Sequence, residues 1–245
     1  MKYTTLIKKI VNRILSVFNL YIQIKHSGVD LIEQLVTTLD YFEINYVLDV
    51  GANTGQFGQE IIEKGYKGEI ISFEPLTFAH LILEKQAKKY PNWHIHKRCA
   101  IGDQNGETYI NISKNSVSSS ILNISGLHTK VSKDSFFIDS EKTPIYKLDD
   151  VMSKYSLNDK NVFLKIDTQG FEWNVLNGVE HNLKNIKGIL CELSFDYLYD
   201  GQHLWKDIVN RLESNGFILW SIQYGLTDKY TGRTLQTDAI FYRVK

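Results

Sequence analysis

The chain has 245 residues, with 28 Lys plus Arg against 28 Asp plus Glu, so its formal net charge is zero. That length accommodates one large α/β domain or two small ones, and the lack of a basic excess disfavours sequence-independent nucleic-acid binding. The two cysteines, Cys99 and Cys191, lack CxxC spacing and lie in apolar stretches, which reads as buried thiols in a reducing compartment.

Residues 4–22 place Leu6, Ile7, Ile10, Val11, Ile14, Leu15, Phe18, Tyr21 and Ile22 at helical spacing, opposite Lys8, Lys9 and Arg13. Two readings stay open: a helix packed on the domain or on a second subunit, as in a homo-oligomer, and a basic helix lying peripherally on an anionic membrane. The basic residues interrupt any signal peptide, and no apolar run approaches the ~20 residues of a membrane span, so the expected location is cytoplasmic. Residues 29–41 read as a second helix, so residues 1–44 form an N-terminal helical extension to one domain, 45–245.

The domain opens with Y-V-L-D-V-G-A-N-T-G (46–55), a strand running into a Gly turn, then an amphipathic helix with Phe57, Ile61 and Ile62. Residues 69–75 give a second strand ending at Glu74, and helix 77–90 stops at Pro91. Residues 93–101 read as one third strand, closed by Gly102-Asp103, and 107–113 alternate as an antiparallel strand does. Residues 114–140 are rich in serine and poor in periodicity, which predicts a long loop or lid.

A buried strand at 161–167 ends in Asp167, Thr168-Gln169-Gly170 turns it into helix 171–184, and strand 187–193 ends near Glu192. Helix 203–214 precedes two final strands, 217–224 and 235–243, whose short connection makes them antiparallel. The alternation predicts a seven-stranded, Rossmann-like, doubly wound α/β sheet, mostly parallel with an antiparallel last strand.

The dinucleotide fingerprint G-x-G-x-x-G fails here, because Asn53 stands where its second glycine belongs. Asp49, two residues before Gly51, would repel a pyrophosphate and suit a ligand that brings a positive amino group. S-adenosylmethionine is such a ligand. Glu74 is placed to accept both ribose hydroxyls, and Asp103 to meet the adenine edge.

At this point the chain resembles the FkbM-type methyltransferases, a branch of the class I S-adenosylmethionine-dependent enzymes. The resemblance rests on V-L-D-V-G-A-N-T-G (47–55), F-E-P (73–75), A-I-G-D (100–103), S-S-S-I-L (118–122), L-D-D (148–150), L-K-I-D-T-Q-G-F-E (164–172), V-L-N-G (175–178), C-E-L-S (191–194), Y-D-G-Q (199–202) and L-Q-T-D-A-I-F (235–241). It implies that Asp49, Gly51, Asn53, Gly55, Glu74 and Asp103 bind the cofactor. Many relatives carry Glu where this chain has Gln169, which weakens any role for that residue as a base.

The acceptor is then expected beyond the fourth and fifth strands, near Asp167, Glu192, Gln169 and His203, with Glu172, Asp196 and Asp238 close by. Two mechanisms fit. Asp167, or else Glu192, removes the proton of an acceptor hydroxyl, or both acids hold Mg²⁺, which lowers the hydroxyl pKa. The bland alternative is that these acids cap a helix or pair with Lys165 or Arg98. His203 reads either as a helix-start residue or as an acceptor contact, and Phe195, Tyr197, Tyr199 and Trp205 read either as core or as a platform for a sugar ring. The resemblance implies an O-methyltransferase acting on a sugar hydroxyl of a surface polysaccharide or glycolipid. A small natural product as acceptor, a non-catalytic binding or assembly protein, and a dehydrogenase are the competing readings.

Overall fold

The computed structural model describes residues 31–244. The amphipathic stretch 4–22 lies outside the described residues. Helix α1 (Leu31–Tyr41) leads into strand β1 (Tyr46–Val50), followed by α2 (Gln56–Glu63), β2 (Glu69–Phe73), α3 (Thr77–Ala87) and β3 (Trp93–Ile95). Strands β4 (Ala100–Gly102), β5 (Gly106–Ser113) and β6 (Phe137–Lys147) come next, with a short helix α4 (Gly126–Val131) between the last two. Then follow α5 (Leu148–Lys154), β7 (Val162–Ile166), α6 (Glu172–Asn177), β8 (Ile186–Ser194), α7 (Trp205–Ser214), β9 (Phe217–Gln223) and β10 (Gln236–Arg243).

Seven strands form one sheet in the order β3-β2-β1-β7-β8-β10-β9. All neighbours pair in parallel except β10, which runs antiparallel to both β8 and β9. The doubly wound, Rossmann-like sheet expected from the sequence is therefore present. The chain passes from β3 back across β1 to β7, so the strand order reverses beside β1, which is where an open α/β sheet leaves a crevice at its carboxyl ends.

Both faces of the sheet are covered, and the strands show it residue by residue. Val47 packs with Leu35, Leu39, Ile61 and Ile70 on one face, whereas its neighbour Leu48 packs with Leu164, Val175 and Leu176 on the other. This is period-2 alternation in which both faces are apolar, as buried parallel strands require. Leu35 and Leu39 are fully buried, and Thr38 Oγ1 lies 2.7 Å from the Tyr242 hydroxyl. Helix α1 is thus built into the core of the domain.

The predicted third strand, 93–101, is two strands. Trp93–Ile95 pairs with β2, then the chain bends and Ala100–Gly102 pairs with β6 in a second, three-stranded sheet ordered β4-β6-β5. Periodicity does not reveal the bend, because both halves are apolar. The predicted loop 114–140 is also corrected: it holds a 3-10 turn at Ser116–Ser118, helix α4 and the first residues of β6. Several of its serines are tied into the fold, and Ser119 and Ser120 also line the cleft beyond the strand ends. Ser135 is fully buried, its Oγ lies 3.0 Å from Ser118 Oγ, and Ser119 Oγ accepts from Ser113 N at 3.0 Å. Helix 171–184 is shorter than predicted, ending at Asn177 before a 3-10 turn at Leu183–Asn185.

Candidate functional site

The turn after β1 has no free amide to offer. Gly51 N and Ala52 N both donate to Phe73 O, Asn53 N donates to Glu74 Oε2 at 2.7 Å, Thr54 N to Asn53 Oδ1 at 2.8 Å, and Gly55 N to Ala52 O. In a dinucleotide cradle such amides meet phosphate oxygens. Here all five are already bonded within the protein.

Two glycines hold this turn, for different reasons. Gly51 has φ +78°, and a Cβ there would stand 1.9 Å from the Asp167 carbonyl oxygen, so glycine lets the end of β1 lie against the end of β7. Gly55 has φ +96°, and a Cβ there would strike Trp93 and Leu83 at 2.8 and 2.9 Å. Gly51 lines the cleft beyond the strand ends, whereas Gly55 serves the packing of α2 and does not line it.

The remaining expected cofactor residues divide in the same way. Glu74 lines the cleft, almost fully buried, with Oε1 accepting from Leu76 N at 2.8 Å and Oε2 from Asn53 N. Burial raises its carboxyl to about 7 against the opposing effect of those two amides. Each oxygen keeps a lone pair for a further donor. Asn53, at φ +48°, also lines the cleft. Asp49 does not. It is fully buried, with Ser72 Oγ donating to Oδ2 at 2.9 Å and Lys165 Nζ 3.1 Å from Oδ1. The cation that Asp49 faces is therefore the protein's own. Asp103 also points elsewhere, accepting from Asn174 Nδ2 at 2.9 Å, and the third-strand side of the cleft is made by Cys99, Ala100 and Ile101 instead. Burial raises the Cys99 thiol to about 12, so it acts as a hydrophobe.

Opposite this wall, the end of β7 and strand β8 bring Asp167, Gln169 and Glu192 together. Gln169 Nε2 donates to Asp167 Oδ1 at 2.9 Å and to Glu192 Oε2 at 3.0 Å, while its Oε1 accepts from the Tyr199 hydroxyl at 2.9 Å. Gln169 sits at φ +55°, a left-handed conformation costly for a residue with a side chain, and Ser120 Oγ anchors its carbonyl at 2.7 Å. Glu172, deeply buried, accepts from Thr168 N, Thr168 Oγ1 and Gly170 N, so it fastens the 168–170 turn; burial lifts its carboxyl to about 7. Burial, then Asp167, Glu172 and Asp238, hold the Glu192 carboxyl well above the usual range, and burial and Asp167 raise Asp238, its register partner on β10, to about 6.

Lys165 completes the cluster. Its Nζ donates to Gly51 O at 2.7 Å and stands 3.5 Å from Asp167 Oδ2. Burial pulls its pKa down, but Asp49 and Asp167 outweigh burial and hold it above the usual value. The predicted pairing of Asp167 with Lys165 is present, whereas Arg98 donates to the carbonyls of Pro75 and Lys142 instead. Sequence reasoning does not single out Lys165 as part of the site. The signal is there: a lysine inside the apolar run V-F-L-K-I of a central strand needs a buried anion.

Two expectations are not met. The carboxamide of Gln169 turns its NH₂ toward both acids and Lys165 adds a cation, an arrangement that opposes Mg²⁺ on Asp167 and Glu192. Among the described residues no group of three or more His, Cys, Asp or Glu side chains is placed to hold a metal ion. His203 stacks on Trp173 with ring centroids 4.1 Å apart and sits 3.5 Å from Asp207, a helix-start arrangement outside the Asp167–Gln169–Glu192 cluster.

The profile of the methyltransferase FkbM domain matches residues 49–219. The chain belongs to the FkbM methyltransferase family. The FkbM match begins at Asp49 and spans every residue of the cleft described above. No curated protein matches the sequence. Among solved structures, the magnesium protoporphyrin IX methyltransferase of Synechocystis PCC 6803, with SAM bound, is similar at 11% identity, covering 98% of this chain and 96% of that one, with a TM-score of 0.47. A putative RNA methyltransferase of Pyrococcus horikoshii is similar at 12% identity over 97% and 98% of the two chains, with a TM-score of 0.45. TrmK of M. capricolum, in complex with S-adenosylhomocysteine, is similar at 9% identity over 90% and 70%, also with a TM-score of 0.45. None of these likenesses bears on what this FkbM-family chain acts on.

Proposed function

We propose that this methyltransferase takes its methyl group from S-adenosylmethionine and places it on a hydroxyl oxygen of a carbohydrate. The observation that carries the cofactor reading is the occupied turn. With all five amides of 51–55 bonded internally, the cleft offers phosphate no donors there, while Glu74 offers acceptor lone pairs to a ribose. Phe73, Leu76, Ala100, Ile101, Ile121 and Phe171 form an apolar slot that suits a purine. The choice of a sugar hydroxyl rests on the family resemblance.

When bound, S-adenosylmethionine supplies an electrophilic methyl carbon. The chain's own task is to hold the acceptor oxygen in line and take its proton. Asp167 is the base in this reading. Gln169 occupies Oδ1, and Oδ2, which Lys165 approaches only to 3.5 Å, is left for the hydroxyl. As the acceptor oxygen takes the methyl carbon and the carbon–sulfur bond breaks, with S-adenosylhomocysteine as the leaving group, the hydroxyl proton would pass to Asp167 Oδ2. Burial, then Asp167, Glu172 and Asp238, hold the Glu192 carboxyl well above the usual range, so it gives up its proton less readily than an ordinary glutamate.

The test is transfer of a tritiated methyl group onto carbohydrate fractions of the source cells, by wild type and Asp167→Asn. The expected result is labelled carbohydrate, a loss of at least ~100-fold in the variant, and unchanged affinity for S-adenosylhomocysteine. EDTA should leave the rate unchanged. Full activity of Asp167→Asn would remove Asp167 as base, and label in no carbohydrate fraction would remove the acceptor class.

A further inference from the structure

Beyond the carboxyl ends of β8 and β9 and the amino end of the antiparallel β10 lies a second groove, lined by Phe195, Gln223, Tyr224, Thr227, Thr234 and Thr237 among others. Among the described residues no charged side chain lines it. Its polar side chains are three threonines, of which Thr237 already donates to Gln223 O, with the Gln223 carboxamide and the Tyr224 hydroxyl; two aromatic rings, of Phe195 and Tyr224, stand among them. Tyr224 is almost fully exposed, and the Phe195 ring stands on Trp205 with centroids 5.7 Å apart. Gln223 is 7% exposed, and among the described residues its Nε2 has no hydrogen-bond partner.

The walls of the groove are fixed. Arg233 pairs with Asp196 at 2.8 Å, Phe195 N donates to Leu235 O at 2.8 Å, and Asp228 N donates to Arg233 O at 2.9 Å. These contacts tie the β9–β10 connection to the segment after β8.

A purely apolar ligand would leave the Gln223 amide buried and unpaired, and an ion would find no counter-charge. A pyranose ring satisfies both halves of the lining, because its C–H face stacks on an aromatic ring while its hydroxyls meet amide and hydroxyl partners.

The position matters as much as the lining. Thr237 immediately precedes Asp238, the register partner of Glu192, and Glu192 shares the Gln169 amide with Asp167. From β7 to β10 and β9 is two to three strand spacings, on the order of 10–14 Å. That is farther than one sugar ring reaches from an oxygen held at Asp167.

We propose that this groove binds a neutral, unmethylated sugar residue of the same chain whose hydroxyl lies at Asp167, so that the acceptor is an oligo- or polysaccharide and not a single sugar. The inference rests on the methyltransferase reading of the Asp167 site and extends it.

Native electrophoresis of the full chain in gels containing dextran, mannan, galactan or the anionic polygalacturonate tests it. Each protein is also titrated with S-adenosylhomocysteine. Wild type should be retarded in at least one neutral gel. Tyr224→Ala should lose at least tenfold in apparent affinity, Tyr224→Trp should retain it, and S-adenosylhomocysteine binding should be the same in all three. Tyr224 is surface-exposed, so the alanine variant keeps its fold. No retardation of wild type in any neutral gel, equal retardation of Tyr224→Ala, or retardation by polygalacturonate alone overturns the proposal. A wild type that is retarded but does not bind S-adenosylhomocysteine would overturn the cofactor reading instead, so the two failures are told apart.

Discussion

The Tyr199 hydroxyl lies 2.9 Å from the Gln169 carboxamide oxygen and 3.1 Å from Ser118 O, sharing its one proton between them and steadying the amide whose other end faces the acids. With Oε1 engaged, Nε2 is left to donate to Asp167 and Glu192. Tyr199→Phe removes that support and leaves the Gln169 carboxamide, and with it Asp167, less firmly held. Methyl transfer should fall about tenfold, with stability changed by only ~1 kcal/mol and S-adenosylhomocysteine affinity unchanged. A kcat equal to wild type across the pH range would show that the amide needs no such lock.

Lys165 is the counter-charge on which a fully buried Asp49 depends. Replacing one partner of such a pair leaves an uncompensated buried charge, which typically costs about 3–5 kcal/mol. Lys165→Met should therefore lower the melting temperature by roughly 10 °C at neutral pH. Asp49→Asn together with Lys165→Met should recover part of that loss. If the double variant is as unstable as the sum of the two single ones, the pair is not coupled.

Glu74 and Glu172 each have a carboxyl raised to about 7 by burial. Between the ordinary glutamate pKa and 7 the folded chain holds protons that the unfolded chain has lost. Stability from these groups is present below the unfolded pKa and is lost as pH rises through about 7. The ceiling is about 3 kcal/mol for each. His128, lowered to about 4 by burial, acts in the opposite direction only below the ordinary histidine range. Thermal melts should accordingly show a falling melting temperature from pH 6.5 to pH 8. A flat or rising profile over that interval would mean that these carboxyls ionise as ordinary ones do.

How much of this was legible in the sequence depends on whether a contact is local. Strand β1, its Gly turn and the acid at the end of β7 are written in short runs, so Gly51, Glu74 and Asp167 could be placed at strand ends directly. What those acids touch is set by pairing across the sheet. Asp49 and Lys165 are adjacent in register on β1 and β7 although 116 residues separate them, and nothing local reveals that the carboxylate is already neutralised. The same holds for Tyr199 and Gln169, and for Asp103, which Asn174 engages. The serines of 114–140 suggested a loose loop because their burial depends on partners such as Ser135 and Gln169 that periodicity does not see.

The central claim is that the cleft at Gly51, Asn53 and Glu74 holds a phosphate-free adenosyl ligand. Calorimetric titration of the full chain with S-adenosylhomocysteine, and separately with NAD, tests it most directly. One site for S-adenosylhomocysteine, weakened about tenfold by Glu74→Gln, with no heat from NAD, is the predicted result. Binding of NAD without binding of S-adenosylhomocysteine would contradict the account.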